Sequence, residues 1–77
     1  MTRQELLTAL EEALVLAPGT MAQGKALADI PQWDSVAVVE FQALLDEKLG
    51  LEVQPQMISA CTTVSDLIDL AQAKLQG

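Results

Sequence analysis

The sequence predicts an all-α fold: a small antiparallel bundle of three main helices, a short third helix, and a long loop between the first and second. Three observations predict it. Apolar residues recur at helical intervals in three separate segments. Each of those segments opens on a good capping residue. Hydrophobic residues make up 51% of the chain, yet Trp33 and Phe41 are its only aromatics, and such an aliphatic core suits helices packed on helices.

The first helix is predicted over about residues 3–16. Thr2 and Glu5 have capping-box spacing. Leu6, Leu7, Leu10, Ala13 and Leu14 form its stripe, with Glu5, Glu11 and Glu12 off it. Ala17-Pro18-Gly19-Thr20 is read as its end, because proline cannot continue a helix. A connection over 17–33 follows, broken by Pro18, Gly19, Gly24 and Pro31. A loop this long in a compact domain is often functional. Leu27 and Ile30 are expected to pin it to the core, with Trp33 as a lid at its end.

The second helix begins at Asp34-Ser35 and runs to Leu49, where Gly50 suits a left-handed cap. Leu51-Glu52-Val53 reads as a short extended stretch before Pro55. Residues 56–61 read as the brief third helix. Thr63 and Asp66 repeat the capping-box spacing at the start of the last helix. Val64, Leu67, Ile68, Ala71 and Leu75 supply its stripe, and it is expected to end near Gln76. No internal repeat appears, and residues 1–77 are expected to be one domain.

Composition excludes several function classes. A chain of 77 residues buries only about 60% of its unfolded surface, too little to wall a deep catalytic cleft. It has no histidine, hence neither the commonest general base nor the commonest metal ligand. Cys61 stands alone, which rules out an intrachain disulfide and a Cys-based zinc site. No metal site and no catalytic residue are expected. Eleven acidic and four basic residues give a net charge of −7, which repels nucleic acid and attracts partners with basic patches. No apolar run approaches the ~20 residues of a membrane span, and the N-terminus does not read as a signal peptide. A cytoplasmic protein is expected, with neither a nucleic-acid nor a membrane partner.

The second helix carries more apolar surface than one bundle needs. Val38, Phe41, Leu45 and Leu49 cluster on one side with Leu44 at the flank, which suffices for a core. Val36, Val39 and Ala43 cluster opposite, bordered by Glu40, Asp46 and Glu47. One reading packs this second face under the long loop through Leu27 or Ile30. The other makes it a docking face, with apolar contact area and carboxylates that orient a basic partner. Ser35 lies one residue before it. Capping alone accounts for an Asp-Ser pair at a helix start. Yet a helix N-terminus also favours a phosphate, through free N–H groups and the positive end of the dipole, although Asp34 opposes this somewhat.

At Trp33-Asp34-Ser35-Val36 the chain resembles the acyl carrier protein family, which includes peptidyl and aminoacyl carriers. WDSVAVVEFQALLDEKLGLEV is similar to that family's Asp-Ser-Leu motif, second helix and following loop. CTTVSDLIDLAQAKL is similar to its fourth helix. The resemblance implies that a phosphopantetheinyl transferase modifies Ser35 with 4'-phosphopantetheine, with Asp34 as the preceding acidic residue. It implies partner docking by Val36, Val39, Glu40, Ala43, Asp46 and Glu47, and places Cys61 at an apolar position, near the short third helix, that lines an acyl pocket. The implied partners are the transferase, an acyl- or aminoacyl-activating ligase, and downstream acyl-processing or condensing enzymes with basic docking patches. A monomer is expected of a protein that must visit several enzymes. Val36 in place of leucine, the less acidic Ala37 and Val38, and Lys48 in place of glutamate favour a specialised carrier. Fatty-acid, polyketide and aminoacyl-transfer pathways all stay open. Rival readings are an unmodified acidic helical interaction module, in which Ser35 is only a cap, and a small enzyme.

Overall fold

A computed structural model describes residues 1–22 and 24–76; of the predicted long connection Gln23, and of the predicted domain Gly77, lie outside them. Four α-helices occur among the described residues: α1 (Arg3–Ala13), α2 (Ser35–Leu49), α3 (Pro55–Ser59) and α4 (Val64–Ala71). Short 3₁₀ turns occupy Leu27–Asp29 and Gln72–Lys74. The predicted all-α bundle is observed.

The helices form where their caps and stripes place them. Thr2 Oγ1 accepts the Glu5 N–H at 3.1 Å, and Glu5 Oε1 accepts the Thr2 N–H at 2.8 Å, so the first capping box is closed. Pro55 sits in the first turn of α3, where its missing N–H costs nothing. That helix covers Pro55–Ser59, slightly earlier than residues 56–61. Gly50 ends α2 at φ 66, the left-handed conformation expected of it.

Two predicted ends are wrong. Helix α1 stops at Ala13, before Pro18, because Val15 turns left-handed at φ 56. The Val15 N–H then donates to Glu12 O at 3.2 Å and the Leu16 N–H to Glu11 O at 2.8 Å, closing a Schellman motif. Ala13 is consequently exposed rather than part of the stripe. Helix α4 leaves α-geometry at Ala71 and tightens into the 3₁₀ turn, with Leu75 half-buried against the core.

The core joins all four helices. Leu6, Leu10, Phe41, Leu45, Ile58, Val64, Leu67 and Ala71 are fully buried. The long connection is tied down at both ends. Glu11, read as a surface residue, is buried, and its Oε2 accepts the Met21 N–H at 2.9 Å. A buried carboxylate must be hydrogen-bonded, and this one draws the loop onto α1 as Met21 fills the core. Farther along, the Leu27 N–H donates to Thr62 O at 2.9 Å and the Val64 N–H to Lys25 O at 3.0 Å, pinning the loop to the α3–α4 junction. Leu27 and Ile30 are buried, as expected.

Candidate functional site

The loop delivers the chain to α2 through a fixed approach. The Trp33 N–H donates to Ile30 O at 3.0 Å. The half-buried Trp33 ring packs edge-on against Phe41, with centroids 6.3 Å apart and planes at 67°. Such pairs favour this T-shaped arrangement. The lid expected of Trp33 is therefore a specific aromatic contact that sets where Asp34 and Ser35 stand.

Asp34 is the cap of α2. Its Oδ1 accepts the Ala37 N–H at 3.0 Å, and its backbone is extended. Ser35 is the first helical residue and is exposed. Among the described residues none hydrogen-bonds to the Ser35 hydroxyl, nor to the Ser35 and Val36 N–H groups of the first turn. The capping explanation of Ser35 is thereby removed, because Asp34 does that work. A free hydroxyl stands beside free N–H donors at the positive end of a 15-residue helix.

The second face of α2 is open. Val36 is 65% exposed and Val39 57%. Glu40, Ala43, Asp46 and Glu47 are exposed beside them. The loop does not cover this face, since Leu27 and Ile30 turn into the core instead. Ala37, assigned by periodicity to neither face, is buried at the start of the helix with Val38.

One feature escaped the sequence. A groove of about 380 Å³ runs along α2, with Val39, Gln42, Ala43 and Asp46 on one wall and Glu52, Val53 and Gln54 on the other. Gln42 Nε2 donates to Val53 O at 3.0 Å and holds the walls together. The groove gathers Val39, Ala43 and Asp46, and leaves Val36, Glu40 and Glu47 on the flank. Only the short extended stretch before Pro55 hinted at it, and nothing in the sequence says how that stretch folds back on the helix.

Cys61 follows α3 and is half-buried, with its Sγ 3.5 Å from Met57 O. Burial, then the charges of Asp66 and Asp69, push its thiol pKa up, so the reactive thiolate is disfavoured. It does not line the groove. No cluster of three or more potential metal ligands exists among the described residues, and no helix among them is long and apolar enough to cross a membrane.

The family model for the phosphopantetheine attachment site matches residues 4–71. The chain belongs to this family. Its members are non-catalytic carriers that bear covalently attached 4'-phosphopantetheine, so a general carrier role is established for this chain. No curated protein and no solved structure gave a match. Carrier domains of this kind work with modifying and processing enzymes.

Proposed function

We propose that Ser35 is the attachment residue and that this carrier holds acyl or aminoacyl cargo and delivers it to partner enzymes in a specialised pathway. The observation that carries the reading is the unoccupied chemistry at the start of α2: an exposed, unpartnered hydroxyl whose capping duty Asp34 has taken over. This position fits a phosphodiester. The Ser35 and Val36 N–H groups are free to receive its oxygens, and the helix dipole favours its charge. When bound, the group supplies a terminal thiol that holds cargo as a thioester.

Ser35 acts as a tether. No histidine exists to activate its hydroxyl. A transferase therefore removes the Ser35 proton while coenzyme A loses 3',5'-ADP and the new P–O bond forms at Oγ. Tethering gives each partner a high local concentration of cargo. Val36, Val39 and Ala43 offer apolar contact area, and Glu40, Asp46 and Glu47 orient a basic partner. Val36 and Val39 are exposed enough to be such contacts.

The deciding experiment treats the protein with coenzyme A and a broad-specificity phosphopantetheinyl transferase and reads intact mass. One phosphopantetheine adduct is expected on the wild type and none on Ser35→Ala. An unmodified wild type would return the chain to the interaction-module reading, and an adduct on Ser35→Ala would move the site. On the docking face, Glu40→Lys with Glu47→Lys should slow loading by a basic partner about tenfold at low salt. Unchanged loading, with unchanged helix content by circular dichroism, would remove that face from recognition.

A further inference from the structure

Helix α2 starts with fewer closing bonds than α1 or α4. Those two open on capping boxes, in which an acidic third residue reaches back to the cap. The third residue of α2 is Ala37, which has no group to reach back with. The Asp34 carboxylate takes the Ala37 N–H alone, and among the described residues nothing accepts from the N–H groups of Asp34, Ser35 and Val36. The last two are the donors that a phosphodiester on Ser35 needs free. A helix end left open in this way frays unless another contact holds it.

Trp33 supplies that contact without using a donor of the first turn. Of residues 31–36 it alone packs against the core, and the others are exposed. Its approach is fixed by a turn in which the Trp33 N–H donates to the carbonyl of the buried Ile30 at 3.0 Å. Pro31 holds the second position of that turn, which its fixed φ suits. An apolar residue just before a cap often packs on the fourth helical residue, here Val38, and fixes the angle of entry. Trp33 reaches about one turn farther, to the fully buried Phe41, where the rings meet edge to face with centroids 6.3 Å apart. Phe41 lies on α2 itself, so the contact ties the entering chain to the helix that Ser35 begins.

Resting on Ser35 as the attachment residue, we propose that Trp33 is a positioning residue for phosphopantetheine attachment. Its ring, seated on Phe41, keeps the first turn of α2 wound and Ser35 Oγ presented, while the N–H groups that receive the phosphate stay unoccupied. It acts through Phe41 and the backbone, not on the reacting atoms. Loss of the ring contact lowers the fraction of carriers whose first turn is wound. A transferase that takes only that form then shows a higher KM at unchanged kcat.

The test compares wild type with Trp33→Ala, using coenzyme A and a broad-specificity phosphopantetheinyl transferase. Trp33→Ala should raise the KM for the carrier about threefold and leave kcat unchanged. Exchange protection of the Ala37 amide, read by NMR, should fall about tenfold. Trp33→Phe, which keeps an aromatic ring over Phe41, should restore both values. Thr63→Ala, which weakens the fold at the start of α4, should move neither. If Trp33→Ala does not fold by circular dichroism, Trp33→Leu, which keeps apolar cover but no ring, takes its place with the same expected directions. An unchanged KM, a loss confined to kcat, no recovery with Trp33→Phe, or an equal effect of Thr63→Ala would overturn this inference alone. Absence of any adduct on the wild type would sink the attachment reading and this inference with it.

Discussion

Helices α2 and α4 start from the same kind of sequence and end in opposite states. At α4, Thr63 Oγ1 accepts the Asp66 N–H at 3.3 Å, and Asp66 Oδ2 accepts the Thr62 and Thr63 N–H groups at 2.9 and 3.1 Å. The Val64 N–H is taken by Lys25 O. Every donor named there has a protein acceptor, and the terminus is structural. At α2, Asp34 takes only the Ala37 N–H, and the hydroxyl and N–H of Ser35 remain open. A capping motif is therefore not evidence against function. What separates the two termini is how many donors the protein itself has used.

The sharpest way to break that comparison is to remove each hydroxyl and measure stability in urea. Ser35→Ala should change unfolding free energy by no more than about 0.5 kcal/mol, since none of the described residues bonds to its hydroxyl, while abolishing phosphopantetheine attachment completely. Thr63→Ala should cost about 1 kcal/mol, the usual loss for a removed cap, and leave attachment untouched. Equal destabilisation by the two substitutions would show that Ser35 is structural after all.

The C-terminal ends offer a second contrast. Gly50 closes α2 in the left-handed region at φ 66, and Val15 closes α1 there at φ 56. A β-branched residue at that φ costs roughly 1–2 kcal/mol. Val15 is 90% exposed, so no burial is lost on replacing it. Val15→Gly should relieve the strain and return part of the gain through a freer unfolded chain, for a net stabilisation of about 0.5–1 kcal/mol in the same urea titration. A loss of stability would mean that Val15 does not hold this conformation in solution.

Much of this was readable from the sequence, for local reasons. Helix starts were legible because Thr2, Asp34 and Thr63 cap through contacts only three residues long. The core face of α2 was legible because periodicity alone places Phe41 and Leu45. The end of α1 was hidden because a valine sits where a glycine is expected. Glu11 was hidden because its burial depends on an N–H ten residues away at Met21. The groove was hidden because Gln42 reaches across to Val53, a contact between elements that no spacing rule encodes. The six positions proposed for docking and Ser35 fell on one exposed side because they follow helical register, whereas the partition into groove and flank needed the fold of residues 51–54.

The smallest effect is the pH dependence of the two helix starts closed by capping boxes, α1 and α4. Asp66 has its pKa lowered, first by the backbone N–H of Thr62 and then by that of Thr63. Glu5 is lowered likewise by the Thr2 backbone N–H and hydroxyl. A carboxylate whose folded pKa lies below its unfolded value stabilises the fold above the unfolded value, about 4 for these groups. That contribution fades as pH falls through the folded pKa, because the proton is then bound in both states. Thermal melts from pH 7 down to pH 2.5 should therefore decline below about pH 4, and Asp66→Asn should flatten part of that decline while lowering stability at pH 7. An acid slope that Asp66→Asn left unchanged would show that the Asp66 carboxylate does not hold the start of α4 closed.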